Sequence, residues 1–224
     1  MFFEIITDCK DENALSKVGA RVKALIPEAQ VGTWGIGTEF DQTNSLQAAG
    51  FIVDLMDATL GRPGVIMGNV AHRHGDSKKW PNGTPFCYFW YKETLVICSI
   101  EGHILSLAKK LGLVDKVNLM DIPTVLSEAL KANEITQEEA DDVAKTQFRS
   151  YQYLPRAAYW LIKKVFEVPS EIYSLDQAPS ADNIWHIDNF GNVKTTILPE
   201  EINFKPGTEA ETKFGKIQCF ERLS

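Results

Sequence analysis

Short apolar runs alternate with stretches of helical periodicity through the first third of the chain, and this alternation restricts the fold more than any other feature of the sequence. Residues 2–7 (FFEIIT) are apolar and rich in β-branched and aromatic side chains, and they stop at Asp8, the pattern of a buried strand. From Asn13, the residues Leu15, Val18, Val22, Leu25 and Ile26 recur at helical spacing until Pro27 closes the segment. The unit then repeats. Residues 30–36 read as a strand, Thr43 or Asn44 as the cap of a helix running through Ala58, and Arg62-Pro63-Gly64 as a turn into a strand at 65–70. Alternation of this kind predicts an α/β fold, a parallel sheet covered by helices.

Directly after Val70 comes the polar segment AHRHGDSKKWPNG, whose Gly, Pro and Asn residues oppose regular structure. A loop at a strand end is where chemistry is most often housed. Strands are expected at 86–91 and 94–99 across a tight Lys92-Glu93 connection, then a helix at 104–111 and a strand at 116–122. A helical stretch follows at 124–165, interrupted near Ala132 and again at Pro155. The segment PSEIYSLDQAPSADN is rich in Pro, Ser and Asp where its neighbours are periodic, so it reads as a linker. The expected organisation is an N-terminal domain at 1–168, a linker at 169–182 and a β-rich domain at 183–224 with strands within 184–198 and 213–220. The last part is short for a β domain that stands alone.

Composition removes several classes of function. The 23 Lys and Arg against 30 Asp and Glu give a net charge of -7, which repels a phosphate backbone, so nucleic acid is not an expected partner. Cys9, Cys87, Cys98 and Cys219 are widely spaced and form no CxxC pair, which suits a reducing compartment better than a disulfide framework. The opening residues place Glu4 and Asp8 where a signal peptide needs positive charge, and no later apolar run is long enough to span a bilayer. A soluble cytoplasmic protein without a membrane partner is expected.

Three constellations carry possible chemistry. His72-Arg73-His74-Gly75-Asp76 has the H-x-H-x-D spacing of binuclear zinc hydrolases, since two imidazoles and a carboxylate so placed can converge on Zn²⁺. Ser77 stands where such enzymes carry a further histidine, and only His103 and His186 remain to complete two sites. A solvated loop or a catalytic role without metal are the other readings. The second constellation is Trp185 to Ile197. Read plainly, it is a hairpin in which Gly191 takes a positive φ and Asn192 caps the turn. Read functionally, the face of Phe190, the amide of Asn192 and the carboxylate of Asp188 suit a purine beside a cationic amine. The third is Asp8, with Asp11 and Asn13 after it: a carboxylate there either accepts hydrogen bonds from a vicinal diol or caps the following helix.

Several motifs recur together and in order: Ile6-Thr7-Asp8 at the first strand end, Ala48-Ala49-Gly50-Phe51, Arg62-Pro63-Gly64-Val65-Ile66, Ser99-Ile100-Glu101-Gly102, and Ile187-Asp188-Asn189-Phe190-Gly191-Asn192. In this the chain resembles the S-adenosyl-L-methionine hydroxide adenosyltransferase family, to which fluorinase and chlorinase are related. The resemblance implies a three-layer N-terminal α/β domain with a largely parallel central sheet and a small C-terminal β-barrel. It also implies a homotrimer whose sites lie between one subunit's N-terminal domain and its neighbour's C-terminal domain. By position, Asp8 would hold the ribose hydroxyls, Phe190 and Asn192 the adenine, and Asp188 the methionine ammonium. The family's catalytic Asp falls on His72 and its Arg on or near Lys79. In its Phe-His-Gly-Arg-Asp motif, the His falls on Arg149, and Ser150 stands where fluorinase binds its nucleophile. The family continues past the position of Phe214-Gly215-Lys216 into residues that grip the methionine carboxylate, so with a chain ending at Ser224 an incomplete methionine pocket is expected.

Attack at C5′ of a sulfonium releases a neutral thioether, so no general acid is needed. Alignment of nucleophile, carbon and sulfur can supply on the order of 7 kcal/mol, and a general base typically adds about 10²-fold to 10⁴-fold. His72, with an ordinary pKa near 6.5, is the expected base, and Lys79 or Arg149 would orient the water. The expected activity is hydrolysis of S-adenosyl-L-methionine to adenosine and L-methionine, with that molecule as substrate and with no cofactor or bound metal. Two alternatives stand beside it: a non-catalytic protein that binds S-adenosylmethionine or adenosine, and a zinc hydrolase using His72, His74 and Asp76.

Overall fold

The computed structural model describes residues 1–37, 42–70, 84–100, 102–146, 148–176, 184–202, 205–212 and 215–218. Seven strands form one sheet: β1 (Phe2–Thr7), β2 (Gln30–Gly35), β3 (Gly64–Asn69), β4 (Phe86–Tyr91), β5 (Thr94–Ser99), β6 (Lys116–Met120) and β7 (Glu171–Ser174), in the order β2-β1-β3-β5-β4-β6-β7. The pairs β1·β2, β1·β3 and β3·β5 are parallel, while β4 runs against both β5 and β6, and β7 against β6. Five of the seven strands thus point the same way, with β4 and β7 running against them, in a mostly parallel α/β architecture of the kind the alternating sequence pattern predicts.

Period-two alternation in the central strands sorts side chains to two buried faces. Phe3 and Ile5 of β1, Val65 and Met67 of β3, and Leu95 and Ile97 of β5 share one face. That face is covered by helices α1 (Glu12–Leu25), α4 (Ile122–Lys131), α5 (Gln137–Lys145) and α7 (Leu154–Lys163), through residues such as Val22, Val125, Val143 and Trp160. Ile6, Ile66, Val96 and Cys98 point to the opposite face, where α2 (Gln42–Ala58) and α3 (Ser106–Lys110) pack Ile52, Met56 and Ala108. This is the expected three-layer arrangement. Each such large apolar side chain contributes about 1.5–3 kcal/mol when fully buried, so the central strands anchor the fold on both sides.

Local chemistry sets where the helices begin. Asp11 caps α1, its Oδ1 accepting from the Ala14 amide at 2.9 Å. Asp121 caps α4, and Thr136 forms a reciprocal capping box with Glu139 at the start of α5. The break expected near Ala132 is present, with Asn133 at φ 56° turning the chain. One expectation about the helices needs correction. Helix α2 already runs from Gln42, so Thr43 and Asn44 lie inside its first turn instead of capping it. The break expected at Pro155 falls just before it, at Tyr153, and Pro155 itself sits in the first turn of α7, where its missing N–H leaves no bond unmade. The short α6 (Arg149–Gln152) precedes it.

The chain divides into two compact units, Met1–Ala178 and Pro179–Ser224. Residues 171–174, expected in the linker, are instead β7, whose Glu171 to Ser174 pair with Leu119 to Lys116. In the smaller unit, β8 (Ile184–Ile187) pairs with β9 (Val193–Thr195), and β10 (Glu209–Thr212) with β11 (Gly215–Gln218), both antiparallel. These are two separate two-stranded sheets, and among the described residues no ladder joins them into the barrel that the resemblance implied. No helix among the described residues is long and apolar enough to cross a membrane.

Candidate functional site

The chain leaves β1 for β2 through α1 on one face of the sheet and returns from β2 to β3 through α2 on the other. Right-handed crossovers in opposite directions require opposite faces. From their carboxyl ends the chain turns from β1 toward β2 and from β3 toward β4, in opposite directions along the sheet order, and this is the switch point at which open α/β sheets hold their ligand crevice. Thr7, Asp8 and Asn69 stand at its mouth. The Thr7 hydroxyl accepts from the Cys9 amide at 3.1 Å and from Asn69 Nδ2 at 3.4 Å, and the Asp8 amide donates to the Asn69 carbonyl at 3.2 Å. Asp8 is half-buried, with Oδ1 shielded from solvent. Because Asp11 caps α1, the capping role that sequence left open for Asp8 is already filled by another residue.

Neighbouring segments close around this edge. A Cβ at Gly35, the end of β2, would come within 2.6 Å of Lys10 Cβ, so only glycine lets the loop after β1 lie so close. Lys10 Nζ donates to the Gly37 carbonyl, and the Gly37 amide to Gln47 Oε1 at 2.8 Å. Beyond β3, Ser99 Oγ donates to the Val70 carbonyl at 3.0 Å, and the His103 amide donates to Ser45 Oγ at 3.0 Å. Asn69 and Ser45 were not singled out from sequence. Asn69 could have been, as a polar residue ending a buried apolar run; nothing local marks Ser45.

His72 and Lys79, with His74 and Asp76, lie outside the described residues. Among the described residues, no three His, Cys, Asp or Glu side chains converge as metal ligands. Arg149 and Ser150 open α6 and are half-buried. Arg149 lines a pocket with Pro85 and Asp121, at the start of β4 and the end of β6. Those strands stand three and four places from β1 in the sheet order, roughly 14 to 19 Å at about 4.8 Å per strand. Arg149 thus shares the sheet edge with Asp8 but not the crevice.

In the smaller unit, the segment 188–192 is a tight turn between β8 and β9. Gly191 has φ 86°, and the Asp188 amide donates to the Asn192 carbonyl at 3.0 Å. The cap of the turn is Asp188, in place of the Asn192 expected from sequence. Its Oδ1 accepts from the amides of Phe190 at 2.8 Å and Asn192 at 2.9 Å, and its Oδ2 accepts from Asn192 Nδ2 at 2.8 Å. The Asn192 amide beside it, with these backbone donors, holds the Asp188 carboxyl below the usual carboxylate range. Phe190 is 84% exposed at the tip, its ring offered to solvent. Among the described residues, Asn192 keeps its carbonyl oxygen and one N–H, the acceptor and donor that a purine edge requires.

No protein-family model matches this chain. No curated protein matches it either. Among solved structures it is similar to an uncharacterized conserved protein from Thermotoga maritima, with 14% sequence identity, a TM-score of 0.57, and coverage of 92% of this chain and 76% of that one. At that identity the likeness is one of fold.

Proposed function

We propose that this chain hydrolyses S-adenosyl-L-methionine to adenosine and L-methionine. The observation that supports this most is the position of Asp8: its carboxylate stands at the switch point between β1 and β3, while the neighbouring helix has its own cap in Asp11. Ligands of open α/β sheets bind in that crevice, and a carboxylate there suits the two hydroxyls of a ribose. The exposed Phe190 and the half-committed amide of Asn192 suit adenine, by stacking and by edge recognition. Asp188 already accepts three hydrogen bonds within its turn, which weakens the case for it as the partner of the methionine ammonium.

In the reaction, a water oxygen forms a bond to C5′ as the C5′–S bond breaks. The bonding pair passes to sulfur, which leaves as the neutral thioether of methionine, and the proton of the attacking water passes to a base. His72, two residues after Val70 in sequence, is the proposed base, and Lys79 the group that orients the water. A homotrimer in the cytoplasm completes the proposal and is testable by sedimentation. Incubation of the purified protein with S-adenosylmethionine, followed by chromatography, should show adenosine and methionine in equal amounts. Tight adenosine binding without product would instead establish a binding protein without turnover.

A further inference from the structure

A concavity opens on the same sheet edge, where β4 begins and β6 ends. Its walls are Pro85, Met120, Ile122, Pro123 and Ala144, with one acid, Asp121, and one base, Arg149. Met120 and Ile122 are buried and form an apolar surface. Opposite charges on one pocket wall commonly pair directly, most often with both guanidinium N–H groups on the carboxylate. Here they do not pair. Asp121 Oδ2 accepts from the Thr124 amide and hydroxyl, which leaves Oδ1 uncommitted among the described residues. Arg149 is half-buried, and its guanidinium enters no hydrogen bond or ion pair among the described residues.

Each half of this arrangement excludes a simpler ligand. A lone anion drawn to Arg149 would face Asp121, and a lone cation drawn to Asp121 would face Arg149. A molecule carrying a carboxylate and an ammonium on one carbon satisfies both, and its side chain can lie on the apolar wall. We propose that this pocket is an α-amino-acid subsite, with Arg149 taking the carboxylate and Asp121 the ammonium of an amino acid with an apolar side chain. In the reading above, on which the identity of that amino acid rests, the occupant is the methionine half of the substrate. Arg149 then anchors substrate instead of orienting water.

Titration calorimetry of the full chain tests this with L-methionine, L-methionine methyl ester, adenosine and S-adenosyl-L-homocysteine. In the unaltered protein, L-methionine should bind about tenfold or more tighter than its ester, the scale of a lost charge-assisted hydrogen bond. Arg149→Gln should bring methionine down to the level of the ester and leave adenosine affinity unchanged. Asp121→Asn, which keeps an acceptor for the Thr124 amide, should weaken methionine as well. S-adenosyl-L-homocysteine binding more tightly than adenosine, and losing that advantage in Arg149→Gln, supports the pocket as the methionine subsite. Arg149-dependent methionine binding without any binding of adenosine supports the amino-acid subsite and overturns the adenosyl reading. Absence of methionine binding, equal affinity for methionine and ester, or unchanged methionine affinity in Arg149→Gln overturns the subsite, even where adenosine still binds.

Discussion

The carboxylate of Asp188 and the amide of Asn192 are bonded to each other across one turn, Asn192 Nδ2 donating to Asp188 Oδ2 at 2.8 Å while the Asn192 backbone amide donates to Oδ1 at 2.9 Å. Both residues were expected to face a ligand, and both are instead partly committed to the shape of the loop that presents Phe190. This has a consequence in pH. The Asp188 carboxyl is held below its ordinary value of 3.8, with the Asn192 side chain as the leading cause. A carboxyl depressed in the folded state adds stability that is present above the unfolded value and is lost as pH falls through the folded one. The turn should therefore hold at neutral pH and loosen only below about pH 4. In a carbon-detected titration, Asn192→Ala should move the Asp188 carboxyl back up toward its ordinary value. An unmoved titration would show that the side-chain contact does not set it.

Phe190 separates the structural role of this turn from a binding role. With 84% of its surface exposed, the ring contributes little to packing, so Phe190→Ala should leave thermal stability within about 0.5 kcal/mol. If adenine stacks on it, the same change should weaken adenosine binding by roughly 1 to 3 kcal/mol, by analogy with bases stacked on aromatics. Asn192→Ala should in addition narrow the preference for adenosine over inosine, because the amide reads the purine edge. Equal affinities for both nucleosides before and after the change would return the segment to an ordinary hairpin.

Asp8 and Asp11 are three residues apart and should behave oppositely. Asp11→Ala removes the cap whose Oδ1 holds the Ala14 amide, and should cost about 0.5–2 kcal/mol of folding stability with nucleoside affinity intact. Asp8→Ala should weaken adenosine by roughly 1.5 to 3 kcal/mol, the range for hydrogen bonds to a charged group, with α1 still capped. Denaturation and calorimetry on the same two variants check both. If Asp8→Ala loses stability and keeps its affinity, the crevice is not where the ribose sits.

How far sequence reaches into this molecule depends on where each element finds its partners. β1, β3 and β5 are buried on both faces, so their apolar runs are continuous and readable without knowing their neighbours. β7 is a four-residue edge strand with Ile172 64% exposed, and its only guide is the pairing with β6, more than fifty positions away by the register Lys116 to Ser174. A Pro-rich and Ser-rich composition therefore outweighed it and suggested a linker. The site divides the same way. Asp8 was visible as a charge ending an apolar run, whereas Ser45 meets His103 only because α2 and α3 cover the same face of the sheet. The opposed pair Asp121 and Arg149 comes together only through the return of the chain from α5 to α6, which no local pattern encodes.

The last prediction concerns the base. If His72 takes the proton of the attacking water, it must be neutral to act, so kcat/KM should fall as pH drops through about 6.5. His72→Ala should lower kcat by roughly 10²-fold to 10⁴-fold with adenosine affinity nearly unchanged, since general-base help is realised in the transition state and not in nucleoside binding. The acidic limb of the pH profile should vanish in the residual activity. A zinc site built from His72, His74 and Asp76 predicts something different: near-stoichiometric zinc in the purified protein, activity lost to a chelator and restored by the metal. His74→Ala separates the two readings without relying on metal content. It should leave turnover close to that of the unaltered chain if His72 acts alone as base, and abolish it if both imidazoles are ligands, so a severe loss in His74→Ala together with chelator sensitivity would end the metal-free mechanism.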